Sequence, residues 1–372
     1  MGLFNFFRNK KPKKRRSAAK QAVNVTVSYH EYTPAELRQQ QYDKIEEVRK
    51  LQEESIPSRN GLLPHEILML SYAAKYSNNQ DCFPRFWTYE YAVQNPSDLL
   101  KKLEREGFIR EGTAIESLSW LTLPSLKSIL SEQGLKTSGK KADLIDRIKS
   151  DVPQSVIESN VSERHYVLTA LGEAELKENA YVASMHNKDY GVSVWDVNKA
   201  LRGGSSERWR DAVWGELNCE QLDAAKYLSN GNVAPMTSVM YRQVDFLKDE
   251  GRIDQAITIV IYALSDEIGI RAPEHFLLDK ELYEKGIDTS KQPSFYKSVK
   301  DYSDFGFSLL DDLLGLNAQK GINPDASELC MRLSSVGNVV TKSEFVDLVS
   351  AKLSHNQKLF HDICDNIQRR IC

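Results

Sequence analysis

Apolar positions along this 372-residue chain recur mostly at helical spacing, with short strand-like stretches between. Residues 22–29 alternate strictly and put Val23, Val25, Val27 and Tyr29 on one face, the pattern of a strand with one buried side. Thr33-Pro34-Ala35-Glu36 then supplies a hydroxyl cap, a proline for the first turn and a glutamate three residues on. A helix is predicted from there to about Glu54. Its seam of Leu37, Ile45, Val48 and Leu51 is narrow, and Pro57 and Asn60-Gly61 end it. From residue 62 the apolar density rises. A helix over 65–76 offers Ile67, Leu68, Leu70, Tyr72 and Ala73 for burial, and a shorter one opens at Phe83-Pro84-Arg85-Phe86-Trp87. A third, capped by Asn95-Pro96-Ser97-Asp98, turns Leu99, Leu100 and Leu103 inward. Gly107 stops it, and Phe108-Ile109-Arg110 continues as a strand.

Between residues 121 and 148 the pattern gives two short helices. Pro124 suits a first turn, Leu126, Ile129 and Leu130 share a face, and Gly134 follows as a stop. Leu135 anchors an extended link, after which Thr137 or Ser138 can cap a helix with Leu144, Ile145 and Ile148 inward. So few aliphatic side chains make a marginal nucleus, since units below about 40 residues rarely stand alone, and a host domain would have to support it. From Asn218 onward nearly everything reads as amphipathic helix. Gly251 and Ala256 suit the turn and close approach of a hairpin over 240–268. Residues 305–318 and a final helix, roughly Lys342–Cys372, carry apolar stripes that serve as core or as partner-binding faces. Trp195, Trp209 and Trp214 read as packing rather than as a base-stacking surface.

Composition changes this picture in three ways. A chain of this length with 41% hydrophobic and 27% charged residues should form two or three globular domains. It contains no apolar run long enough for a membrane span and none of signal-peptide length after the basic start, so a cytosolic or nuclear location is expected. The net charge of -3 hides a tail: residues 1–20 hold eight Lys and Arg and no acid, which leaves the rest of the chain at -11. Three uses of the tail stay open, a nucleic-acid arm, a membrane-surface contact through its Phe and basic residues, and a solubilising extension. Met1-Gly2 does not begin a myristoylation signal, because Phe6 stands where Ser or Thr is required. Five scattered cysteines without a CxxC pair argue against a disulfide framework, and His361, Cys364 and the nearby His355 form no complete zinc set. No nucleophile elbow, phosphate-binding glycine loop or paired carboxylates are legible. The expectation is a protein without catalytic, metal or cofactor site.

The segment 121–148 resembles the SAP motif, a helix–link–helix DNA-binding module, along its whole length. The likeness rests on Leu123, Leu126, Leu130, Gly134-Leu135, Ser138-Gly139, Lys141, Leu144 and Arg147. It implies binding to duplex DNA, often A·T-rich, with modest sequence selectivity, by a module at about 119–151. The chemistry is compatible: Gly139-Lys140-Lys141 opens the second helix, where backbone N–H groups and the helix dipole favour a phosphate. The candidate DNA-binding residues are Lys127, Lys136, Ser138, Gly139, Lys140, Lys141, Arg147 and Lys149. Six cations against four carboxylates leave +2 over the module, so weak and strongly salt-dependent binding is expected.

The flanking segments resemble a winged-helix domain with the SAP segment in place of its wing. The likeness rests on the run Leu99-Leu100 to Gly107-Phe108-Ile109 and on a return strand Tyr166-Val167-Leu168-Thr169-Ala170-Leu171-Gly172. In that arrangement Lys101, Lys102 and Arg105 on the third helix are additional candidate DNA contacts; mixed with Glu104 and Glu106, they read equally well as a solvated face. The expected fold is mainly α: a basic tail (1–20), a strand plus charged helix (21–61), a winged-helix-like domain (62–185) with the SAP insertion at 119–151, and an α-helical domain (186–372). The layout is similar to bacterial or phage-borne SAP-domain proteins, which points to a bacterial cytoplasm or nucleoid. The expected function is non-catalytic DNA binding, with a protein partner or self-association through the C-terminal helices. Two other readings are an enzyme on nucleic acid anchored by the SAP module and a membrane-surface adaptor acting through the tail.

Overall fold

The structure, a computed structural model, describes residues 33–188, 190–228, 232–287 and 292–372. The basic tail and the strand expected at 22–29 lie outside the described residues. The chain is mainly helical, and its described residues divide into two units, one of residues 33–188 with 193–212, the other of 190–192 with 213–372.

In the first unit α1 (Pro34–Glu54) starts where the capping box requires. Thr33 N–H donates to the Glu36 carboxylate at 2.6 Å, and Glu36 N–H donates to Thr33 Oγ1 at 3.2 Å. Only Val48 of this helix is buried, as its narrow seam implies. Then come α2 (Pro64–Tyr72), the short α3 (Phe86–Tyr89), α4 (Pro96–Arg105) and β1 (Ile109–Glu111). Leu99, Leu100 and Leu103 of α4 are buried, and Phe108 N–H reaches back to the Leu103 carbonyl at 2.9 Å as the chain leaves the helix. Four helices follow: α5 (Ala114–Ser117), α6 (Leu123–Glu132), α7 (Lys141–Asp151) and α8 (Gln154–Asn160). The chain returns as β2 (Tyr166–Leu168), antiparallel to β1 in the register Ile109↔Leu168, Arg110↔Val167, Glu111↔Tyr166. The return strand is shorter than the 166–172 expected, because Thr169 leaves the sheet to cap α9 (Ala170–Glu178), accepting from Gly172 N–H at 3.2 Å. Gly172 is needed there: a Cβ would lie 2.1 Å from the Phe108 carbonyl oxygen.

The first unit does not close near residue 185. After α10 (Tyr181–Asn187), α11 (Val194–Arg202) packs back on α2, and Asn198 exchanges two hydrogen bonds with the Ile56 backbone (2.9 and 3.0 Å) and donates to the Tyr181 hydroxyl at 3.1 Å. The division falls instead inside α12 (Trp209–Ala225).

The second unit is built from α13 (Ala234–Asp249), α14 (Ile253–Asp266), α15 (Ala272–Glu284), α16 (Phe295–Ala318), α17 (Ala326–Leu329), α18 (Lys342–Leu353) and α19 (Gln357–Ile371). Gly251 makes the α13–α14 turn and Ala256 is fully buried, so the hairpin packs as its small residues suggest. Phe276, Phe295, Phe307, Phe345 and Leu348 fill one core. The single terminal helix expected over 342–372 is two helices. His355 adopts φ +54, and the Asn356 side chain accepts Leu359 N–H at 3.0 Å, starting α19 afresh. The break lets Phe345 and Leu348 from one side and Phe360 and Ile367 from the other enter the same core. Among the described residues no helix is long and apolar enough to cross a membrane.

Candidate nucleic-acid interface

The helix–link–helix forms where the sequence places it and is larger than its two helices. Leu126, Ile129, Leu130, Leu144 and Ile148 are buried together with Ala114 and Leu118 from the entering segment and Val152, Ile157 and Val161 from the leaving one. The flanking α5 and α8 thus complete a nucleus that α6 and α7 alone would leave open. Thr113 and Glu116 cap α5 reciprocally, with hydrogen bonds of 2.8 and 3.2 Å. Leu123 does not join the core; its side chain is exposed.

The link is set by backbone geometry. Gly134 has φ +68, a conformation that suits glycine, and the end of α6 closes with Leu135 N–H on the Leu130 carbonyl (2.8 Å) and Gly134 N–H on that of Ser131 (3.0 Å). Leu135 then packs against the core. Neither Thr137 nor Ser138 caps the second helix. Its cap position is Lys140, whose N–H donates to the Asp143 carboxylate at 2.9 Å, after Gly139 turns the chain at φ +134. Asp143 therefore takes one of the N–H groups expected to be free for a phosphate. The backbone N–H groups of Lys141, Ala142 and Asp143 itself have no protein acceptor among the described residues.

Arg147 also plays a different part from the one expected. One guanidinium nitrogen donates to the carbonyls of Lys136 and of Ser138 (3.3 Å to the latter), clamping the link against α7. It is a positioning residue for Gly139 to Lys141. Arg147→Met should lower the melting temperature of the DNA-free protein, by an amount set by about 1.5–3 kcal/mol for a charged hydrogen bond removed. A melt unchanged by the substitution would show the clamp to be idle.

The lysines remain. Lys127, Lys136, Lys140, Lys141 and Lys149 are all exposed, as are Ser138 and Gly139, and none of the five has a carboxylate within ion-pair distance among the described residues. The additional candidates on α4 differ. Lys102 is ion-paired with the buried Glu66 and lies 4.0 Å from Glu106, so it is an internal partner rather than an open cation. Lys101 lies 3.9 Å from Asp98, and Arg105 is exposed. The nucleus, the capped link and five exposed lysines, without an ion-pair partner among the described residues, make a small helix–link–helix module. Residues 117–152 match the family model of the SAP domain, and a SAP domain occupies that span of the chain. No curated protein matches the chain.

Proposed function

We propose that this is a non-catalytic DNA-binding protein whose SAP domain grips the phosphates of duplex DNA with slight sequence selectivity. One observation carries the reading: five lysines of the module stand exposed without a carboxylate partner among the described residues, while Lys102 outside it is neutralised internally. Unpaired cations beside open helix N–H groups suit a polyanion. Lysines contact phosphates more than base edges, so they position the protein without reading sequence. We further read the host of the module as winged-helix-like. That reading is supported by α2, α3 and α4 leading into β1, by the pairing of β2 across the insertion, and by the Ser77–His165 bridge that adds a third backbone pairing. The helical unit is read as a partner-binding or self-associating surface, on the strength of the exposed Leu278, Phe305 and Met331.

The test is a salt titration of the full chain on labelled duplex. The logarithm of the affinity should fall with that of salt concentration at a slope of about -2 to -4, the signature of a few phosphate contacts. Duplexes of different sequence should bind within a narrow range. A slope near zero would overturn the phosphate-gripping reading, and cleavage of the duplex on adding Mg²⁺ or Mn²⁺ would overturn its non-catalytic part.

A further inference from the structure

Of the five tryptophans, Trp120 is the only one exposed, at 46%, and it lies inside the SAP span. Its neighbours in sequence hold it in place: Leu118 is fully buried in the module core and Leu121 packs against it, so the indole between them is carried outward on a single turn. The ring is not loose. It stacks on His165 with centroids 4.5 Å apart and planes 13° from parallel. His165 in turn is fixed from several sides. Its N–H donates to Ser117 Oγ at 3.1 Å, and its carbonyl accepts Gly112 N–H at 2.8 Å. Its Nδ1 lies 3.2 Å from the Ala74 carbonyl. Even the approach of Gly112 is tight, since a Cβ there would lie 2.6 Å from the His165 carbonyl oxygen.

A large, flat ring, backed on one face by His165 and 46% exposed, is the kind of group on which a nucleobase stacks. The surroundings favour a base over an apolar protein pocket. Ser119, Thr122 and Ser125, close to it in sequence, are exposed, and the exposed residues of α6 run on through Leu123 and Lys127. Protein hot spots, by contrast, lie in well-packed, fully desolvated pockets ringed by contacts that exclude water. Bases inside an intact duplex already stack on each other, so the ring can be used only by an unpaired one.

We propose that Trp120, backed by His165, is a stacking platform for an unpaired nucleobase, so that the protein prefers duplex DNA with a single-stranded tail over blunt duplex. The proposal rests on the DNA-binding reading and adds to it a substrate feature that the lysines cannot supply.

Fluorescence anisotropy of the full chain on a blunt duplex and on the same duplex with a short unpaired tail tests it. Wild type should bind the tailed probe about fivefold or more tightly, the scale of one base–aromatic stack. Trp120→Ala should erase that preference and leave blunt-duplex affinity unchanged, whereas Trp120→Phe should retain most of it. Quenching of tryptophan fluorescence by the tail, present in wild type and absent in Trp120→Phe, gives a readout independent of affinity. Wild type without a tail preference, or a preference that survives Trp120→Ala, would overturn the platform. A Lys140→Glu/Lys141→Glu variant separates the two ideas. It should weaken both probes in parallel; if it binds blunt duplex like wild type while Trp120→Ala still abolishes the tail preference, the lysine reading fails and the platform stands.

Discussion

Replacing Lys140 and Lys141 together by glutamate is expected to weaken duplex binding about a hundredfold at moderate salt, and to reduce the salt slope by about two, one for each phosphate no longer neutralised. The substitution reverses the charge of the module from +2 to -2 at the point where the open N–H groups of α7 face solvent. It should do so without unfolding anything. Both side chains are exposed, neither joins the core of the module, and a glutamate in the first turn of a helix interacts favourably with its dipole. The melting temperature should therefore stay close to that of wild type while binding collapses, the opposite of what Arg147→Met should do. Binding assays at two salt concentrations, with a melt of each variant, separate the two roles. Undiminished affinity in the double variant would remove the start of α7 from the interface.

That contrast marks where the sequence was legible and where it was not. The helices of the module could be read from Leu126, Leu130, Leu144 and Ile148, because their spacing is helical and Gly134 punctuates it. The role of Arg147 could not be read, because its acceptors are backbone carbonyls nine and eleven residues away, brought near only by the fold of the link. The same clamp explains why the helix begins at Lys141. Ser138 has the chemistry of a cap, but its carbonyl is held by Arg147, and the chain turns at Gly139 before helical geometry starts. The flanking α5 and α8 are pieces of 4 and 7 residues, too short to show a period, although Thr113 and Glu116 do carry a capping signal. The host domain closes through Asn198, 142 residues from its partner Ile56, a pairing that no local pattern announces. Trp120 resembles any other aromatic in sequence, and only burial separates it from the rest.

The largest expected effect in the helical unit comes from a feature equally invisible in sequence. Between α14 and α15 the helix widens into a π turn, Glu267–Arg271, with Gly269 pressed so close to the Val336 carbonyl that a Cβ would lie 1.5 Å from its oxygen. Glu267 is thereby drawn inside. Its carboxylate accepts a hydrogen bond from the Tyr241 hydroxyl at 2.7 Å and lies 4.0 Å from Arg271, which is itself stacked over Tyr302. Burial outweighs these interactions and pushes the Glu267 carboxyl up to about 7 and the adjoining Asp266 up to about 6. Because the folded state holds these protons more tightly than the unfolded chain, their contribution to stability is fully present below about pH 4.5, the ordinary range of a glutamate. It is lost as the pH rises through about 7. The unit should accordingly unfold at a higher temperature at pH 5 than at pH 8. Glu267→Gln keeps an acceptor for Tyr241 and removes the charge, so it should stabilise the protein at pH 8 by roughly 2 kcal/mol, less than the full shift implies because the substitution also leaves Arg271 without its carboxylate partner. The variant should also flatten the pH dependence to what Asp266 leaves. Calorimetric melts of the full chain at the two pH values decide the matter: a wild-type transition that does not move between them would mean that Glu267 is ionised and solvated throughout, and that the π turn opens to water.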